Sequence, residues 1–137
     1  MKVLIDFYPG AYGPTVRIDV QSLDQLVQLR EHFRSLAESR VHEIRLHEMA
    51  EVQTIGLTAL TLITVQKGQE GSKTFERLSG RDVQFRWARS PEGWADCLAR
   101  IDRLVEEKKA GHQYLTNEGI DDALVELAFL EPRPPAV

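Results

Sequence analysis

Apolar and polar residues alternate in the first twenty positions. Val3, Ile5 and Phe7 are interleaved with Leu4, Asp6 and Tyr8, and Val16, Ile18 and Val20 with Arg17, Asp19 and Gln21. A period of two predicts strands, the second of them half-buried. Pro9-Gly10 and Gly13-Pro14 bracket a turn between them, so the pair reads as a hairpin. The period then changes. Ser22-Leu23-Asp24-Gln25 has the form of a capping box, and Leu26, Leu29, Phe33 and Leu36 recur at helical spacing, predicting an amphipathic helix over 23–38. Alternation returns at His42, Ile44 and Leu46 for a third strand. Residues 55–66 are apolar on both faces and rich in Thr, the pattern of a central strand covered on both sides or extending into an oligomer interface. Gly68 and Gly71 mark a hairpin loop, 73–78 pair back, and Val83, Phe85 and Trp87 alternate with Gln84, Arg86 and Ala88, so 55–89 reads as a meander.

A second helix starts at Ser90-Pro91-Glu92, with serine as cap, proline at the first helical position and a carboxylate in the first turn. Trp94, Cys97, Leu98, Ile101, Leu104 and Val105 form its apolar stripe. Lys108 and Lys109 fall in the expected last turn, and Gly111 is the expected left-handed stop. Ala123, Val125, Leu127 and Phe129 predict a last strand. The order ββα-βββ(β)-α-β implies an α+β domain with a mainly antiparallel sheet of about six strands and two helices. Residues 1–131 read as a single domain and 132–137 as an extended Pro-rich tail.

Composition adds exclusions. The chain has 137 residues, 42% hydrophobic and 28% charged, the balance of one globular domain. It contains no apolar run of membrane-spanning length and no signal-like start, and its single cysteine, Cys97, has no internal partner, so a cytoplasmic location is expected. The net charge of −4 is unevenly placed. Glu118, Asp121, Asp122, Glu126 and Glu131 stand against Arg133 alone, while residues 1–111 are balanced. An acidic end disfavours nucleic-acid binding and favours contact with a basic protein surface. The arginines at 77, 81, 86 and 89 interleave with Phe85 and Trp87, but the aromatics share a face with Val83 and read as core.

Catalytic patterns are missing. No H-E-x-x-H, C-x-x-C or G-x-S-x-G occurs, His42 and His47 point to opposite sides of a strand, and Cys97 lies within an apolar stripe. Neither a metal nor a cofactor is expected, and the chain does not read as an enzyme.

One segment carries a resemblance. Trp94, Leu98 and Ile101 on a helix, then Gly111-His112-Gln113-Tyr114-Leu115, then Asp121-Asp122-Ala123-Leu124-Val125-Glu126, resemble immunity proteins of bacterial polymorphic toxin systems. The resemblance spans roughly residues 90–130 and departs at Ala128-Phe129-Leu130, where such proteins often carry a serine and a further acidic or aromatic residue. It implies a protein that occludes a cognate toxin, itself presenting a basic active-site surface. The expected contact residues are Glu118, Asp121, Asp122 and Glu126, with Trp94 or Tyr114 as aromatic anchors. The first-helix surface and the 66–73 loop are competing locations. Gly111, His112 and Gln113 also have a scaffold reading, closing the helix end while Tyr114 and Leu115 pack at the corner. The alternative functions are a small-molecule-binding domain or small enzyme with a pocket at strand 55–66, or a homodimer joined through sheet edges.

Overall fold

The computed structural model describes residues 2–116 and 120–132. Within them the α+β class is realised as two helices and nine strands in two mixed sheets. Strands β1 (Val3–Gly10) and β2 (Gly13–Val20) form the expected hairpin, with Gly10 opposite Gly13 and Tyr12 at the tip. Gly13 takes φ +115°, a region closed to most side chains. Helix α1 (Leu23–Ala37) starts as read, the Ser22 hydroxyl accepting from Gln25 N at 3.1 Å. The Gln25 side chain reaches back to Gln21 N rather than to the cap residue's own N–H.

The middle of the chain departs from a meander. After β3 (Glu43–Arg45) a single 3-10 turn, Leu46–Glu48, ends the third strand earlier than expected. The two-faced run at 55–66 is two strands rather than one: β4 (Val52–Ile55) lies parallel to β1, and β5 (Ala59–Thr64) belongs to the other sheet. Gly56 makes the switch. Its φ is +79°, and a Cβ there would lie 2.6 Å from the Phe7 carbonyl oxygen. Strand β6 (Phe75–Arg77) pairs with β7 (Gln84–Arg89), which runs parallel to β5. Phe85 and Trp87 are buried, as their shared face with Val83 implied.

Helix α2 (Pro91–Glu107) is capped by Ser90, whose hydroxyl accepts from Gly93 N at 3.2 Å. Its stop differs from the one the sequence suggests. Lys108, at φ +54°, is the left-handed residue, with its N–H on the Leu104 carbonyl; Gly111 opens the next strand instead. Strand β8 (Gly111–Tyr114) pairs antiparallel with β9 (Leu124–Phe129), and β9 pairs parallel with β2. The first sheet therefore runs β4-β1-β2-β9-β8 and the second β3-β5-β7-β6. Four of the seven pairings are antiparallel, as expected. The other three are parallel, each joining strands that are not neighbours in sequence, and the strands divide into two mixed sheets where one was expected.

One core joins both sheets and both helices. Its centre is aromatic. Phe33 of α1 meets Trp87 and Trp94 edge-on at 5.7 and 5.6 Å, and Phe75 bridges Phe85 and Trp87. Trp94 is fully buried and donates its indole N–H to the Ile63 carbonyl at 3.1 Å. Burying an aromatic side chain stabilises by roughly 1.5–3 kcal/mol, so this cluster is a large share of what holds the helices to the second sheet.

Candidate functional site

The five-stranded sheet has its inner face in the core, through Val3, Ile5, Val16, Ile18, Val20, Val125, Leu127 and Phe129. Alternate residues must then face outward. The register sets Asp6 opposite Arg17, Arg17 opposite Glu126 and Glu126 opposite Tyr114, a single row across four strands. Tyr8, Thr15 and Leu124 form the next row.

This outer face is not uniformly solvated, and here the half-buried reading of β2 fails. Arg17 and Asp19 are only 4% and 2% exposed. Arg17 reaches Glu126 at 3.5 Å and donates to the backbone carbonyls of Glu131 and Pro132 at 3.5 and 3.1 Å. Residues 131–132 therefore lie back over the strand instead of leading away from it. Leu130 makes that turn with φ +56°, its N–H still on the Val20 carbonyl. A left-handed leucine is strained by about 1 kcal/mol or more, so the surrounding contacts hold it there. Gln21 Nε2 adds a contact to the Glu131 carbonyl at 3.4 Å.

Beside this strap the outward side chains of β8 converge with the hairpin tip. His112 and Tyr114 meet edge-to-face at 5.5 Å. His112 Nδ1 lies 3.1 Å from each carboxylate oxygen of Glu131. Tyr12, 68% exposed, joins His112, Tyr114, Thr116 and Leu124 around a concavity of about 430 Å³. The three tyrosines of the chain all belong to this region. Burial pushes the Tyr114 hydroxyl up, and Glu126, Tyr12, Tyr8 and Glu131 add to the rise. Tyr8 is raised likewise, first by burial and then by Glu126. The face thus couples aromatic surface to negative charge.

The expected contact residues divide. Tyr114 and Glu126 come together here, with His112 beside them. Trp94 is inside the core and presents no surface. Asp121 accepts from Thr74 N at 2.9 Å, Phe75 N at 3.0 Å and the Thr74 hydroxyl at 3.1 Å. Asp122 accepts from Arg77 N and Lys73 Nζ, both at 2.8 Å, while its own N–H donates to the Phe75 carbonyl. Lys73 holds the Asp122 carboxyl below its ordinary range. These two aspartates tie the approach to β9 onto β6 of the other sheet. Glu118 lies outside the described residues, as do 133–137 of the expected tail.

The scaffold reading of the G-H-Q-Y-L segment changes in detail. Gly111 approaches Leu104, where a Cβ would lie 3.4 Å from its Cδ2, so this glycine allows close packing of β8 on α2. His112 turns to Glu131 rather than to the helix end, Gln113 is half-buried opposite Leu127, and Leu115 is buried. The Cys97 thiol sits beneath, with burial pushing it up to about 11, which leaves no thiolate near neutral pH.

Tyr8, Tyr12, Arg17 and Glu131 did not stand out as site residues in the sequence. Tyr8 has the outward parity of β1, a usable signal, but the position of Glu131 depends on the Leu130 turn. Comparison with known proteins adds no assignment: no family model, curated protein or solved structure matches the chain. Among the described residues, no helix is long and apolar enough to cross a membrane.

Proposed function

We propose that the chain is a protein-binding domain of the immunity type, which neutralises a toxin by covering it, and that the outer face of the first sheet is its contact surface. The observation that carries this reading is the convergence of Tyr12, Tyr114 and His112 with Glu126 and Glu131 around one concavity. Tyrosines supply large, stiff contact area at low entropic cost, and the carboxylates match a basic partner surface. The G-H-Q-Y-L segment, which carries the family resemblance, contributes two of these side chains. The buried Cys97 thiol supplies no nucleophile, in keeping with a role that needs none.

The experiment is binding to the products of the neighbouring genes, among which the proposal expects a toxin, by titration calorimetry and by rescue of cells that express that product. Wild-type protein should bind and rescue. The double substitution Tyr12→Ala/Tyr114→Ala should weaken binding at least tenfold while leaving a folded protein. Full affinity in that double variant would move the surface elsewhere, and the absence of both binding and rescue by the wild type would end the immunity reading.

A further inference from the structure

The cluster of His112, Glu126 and Glu131 has a chemistry that partner binding does not require. The ligand atoms of these three side chains lie within 4.8 Å of one another. They come from β8, β9 and the turn after β9, so three separate elements aim donors at one point. We propose that this point is a binding site for a first-row divalent transition-metal ion, with zinc the natural probe.

The geometry supports the ion in three ways. His112 Nδ1 is 3.1 Å from both oxygens of Glu131. Donors about 2.0–2.2 Å from a metal stand roughly 2.9–3.5 Å apart, the cis separation in octahedral and tetrahedral shells, so this pair is already at ligand spacing. Glu126 is the looser third ligand, its carboxylate within 4.8 Å of the other two donors. Second, Glu131 is placed rather than free. The Leu130 turn brings it back over the sheet, and Arg17 and Gln21 hold its backbone carbonyl, which leaves the carboxylate available. Third, the site is open on one side. His112 also lines the concavity shared with Tyr12 and Tyr114, so coordination positions not filled by protein face solvent or a bound partner.

Electrostatics allow it. Two carboxylates offset the charge of a dication, and an imidazole with carboxylates is a donor set suited to Zn²⁺, Mn²⁺ or Ni²⁺ rather than to Ca²⁺. Arg17 is the competing cation. It meets Glu126 through one contact at 3.5 Å, and its shorter contact, 3.1 Å, is to the Pro132 carbonyl. It can therefore stay with the strap while Glu126 turns toward the ion. Local sequence motifs could not reveal such a site, because its ligands lie in three elements and no two of them follow a recognised metal spacing.

This proposal stands apart from the toxin-binding reading, since it is tested on the protein alone. Tag-free full-length protein, stripped of metal by chelator and dialysis, is titrated with Zn²⁺ by calorimetry and with Co²⁺ by visible absorption. One equivalent should bind, and Zn²⁺ should raise the melting temperature. His112→Ala and Glu131→Gln should each weaken binding at least about tenfold, the scale on which a metal site responds even to changes around its ligands. His32→Ala, at the separate His32–Glu51 contact, should change nothing. Circular dichroism checks that the variants are folded, which the exposure of His112 favours. Absence of binding by Zn²⁺, Co²⁺, Ni²⁺ and Mn²⁺ at millimolar concentration overturns the site. So does equal Zn²⁺ affinity in wild type, His112→Ala and Glu131→Gln, or loss of binding in His32→Ala.

Discussion

The aspartate pair at 121–122 and the glutamate pair at 126 and 131 lie close together in sequence and have the same charge, yet they have opposite tasks. Asp121 and Asp122 spend their oxygens on backbone N–H groups of β6 and on Thr74 and Lys73. Glu126 and Glu131 face His112, Arg17 and the tyrosines on the outside of the other sheet. A carboxylate that satisfies backbone donors is part of the scaffold; one that gathers aromatic and imidazole side chains at a concavity is free to meet something else. Among the described residues the acidic groups of the C-terminal region therefore fall into two structures, and the proposed contact surface uses only one of them.

Substitutions should separate the two. The largest effect belongs to Asp121→Ala, which strips a side-chain acceptor from two backbone N–H groups. It should lower the unfolding free energy by about 2–3 kcal/mol in urea denaturation. A loss below about 0.5 kcal/mol would show that Asp121 is not a clamp. Next is alkaline pH, which reports on the packing beneath β8. The folded-state pKa of Cys97 is raised from 9.0 to about 11. Its contribution is complete below the ordinary thiol value and is lost as pH rises from about 9 through about 11, at a slope approaching 1.4 kcal/mol per pH unit. Comparing wild type with Cys97→Ala isolates this slope; identical alkaline profiles would mean that the thiol is open to water.

Glu126→Gln should cost less, about 1 kcal/mol, because Arg17 keeps its carbonyl partners while losing a charged one. The smallest stability effect belongs to Tyr12→Ala, which should stay within about 0.5 kcal/mol of wild type, the range of an exposed surface change. A large destabilisation there would make the hairpin tip a structural element and weaken its assignment to the contact surface.

Much of the framework was legible because it is local. The β1–β2 hairpin, the serine caps at 22 and 90 and the apolar stripe of α2 follow from turn chemistry, capping and periodicity within a few residues. The two-sheet topology was not, because it turns on Gly56 giving way to Phe7 and on parallel pairings between strands distant in sequence. The site was half legible. Tyr114 and Glu126 were singled out as contacts and His112 as scaffold, whereas Trp94 was read both in the apolar stripe of α2 and as an anchor, and its contacts with Phe33 and Trp87 place it in the core. Asp121 and Asp122 were read as contact residues because the groups that bind them lie near position 75, and the place of Glu131 over the sheet was hidden because its return requires a left-handed Leu130.

The most direct measurement compares the affinity of the toxin that the proposal expects among the neighbouring gene products for two variants, each first shown to be folded: Asp122→Asn on the clamp and Tyr12→Ala/Tyr114→Ala on the open face. Near wild-type affinity for the first and at least a tenfold loss for the second is the predicted result. Loss confined to the Asp122 variant would place recognition on the clamp and contradict the division drawn between the two acidic pairs.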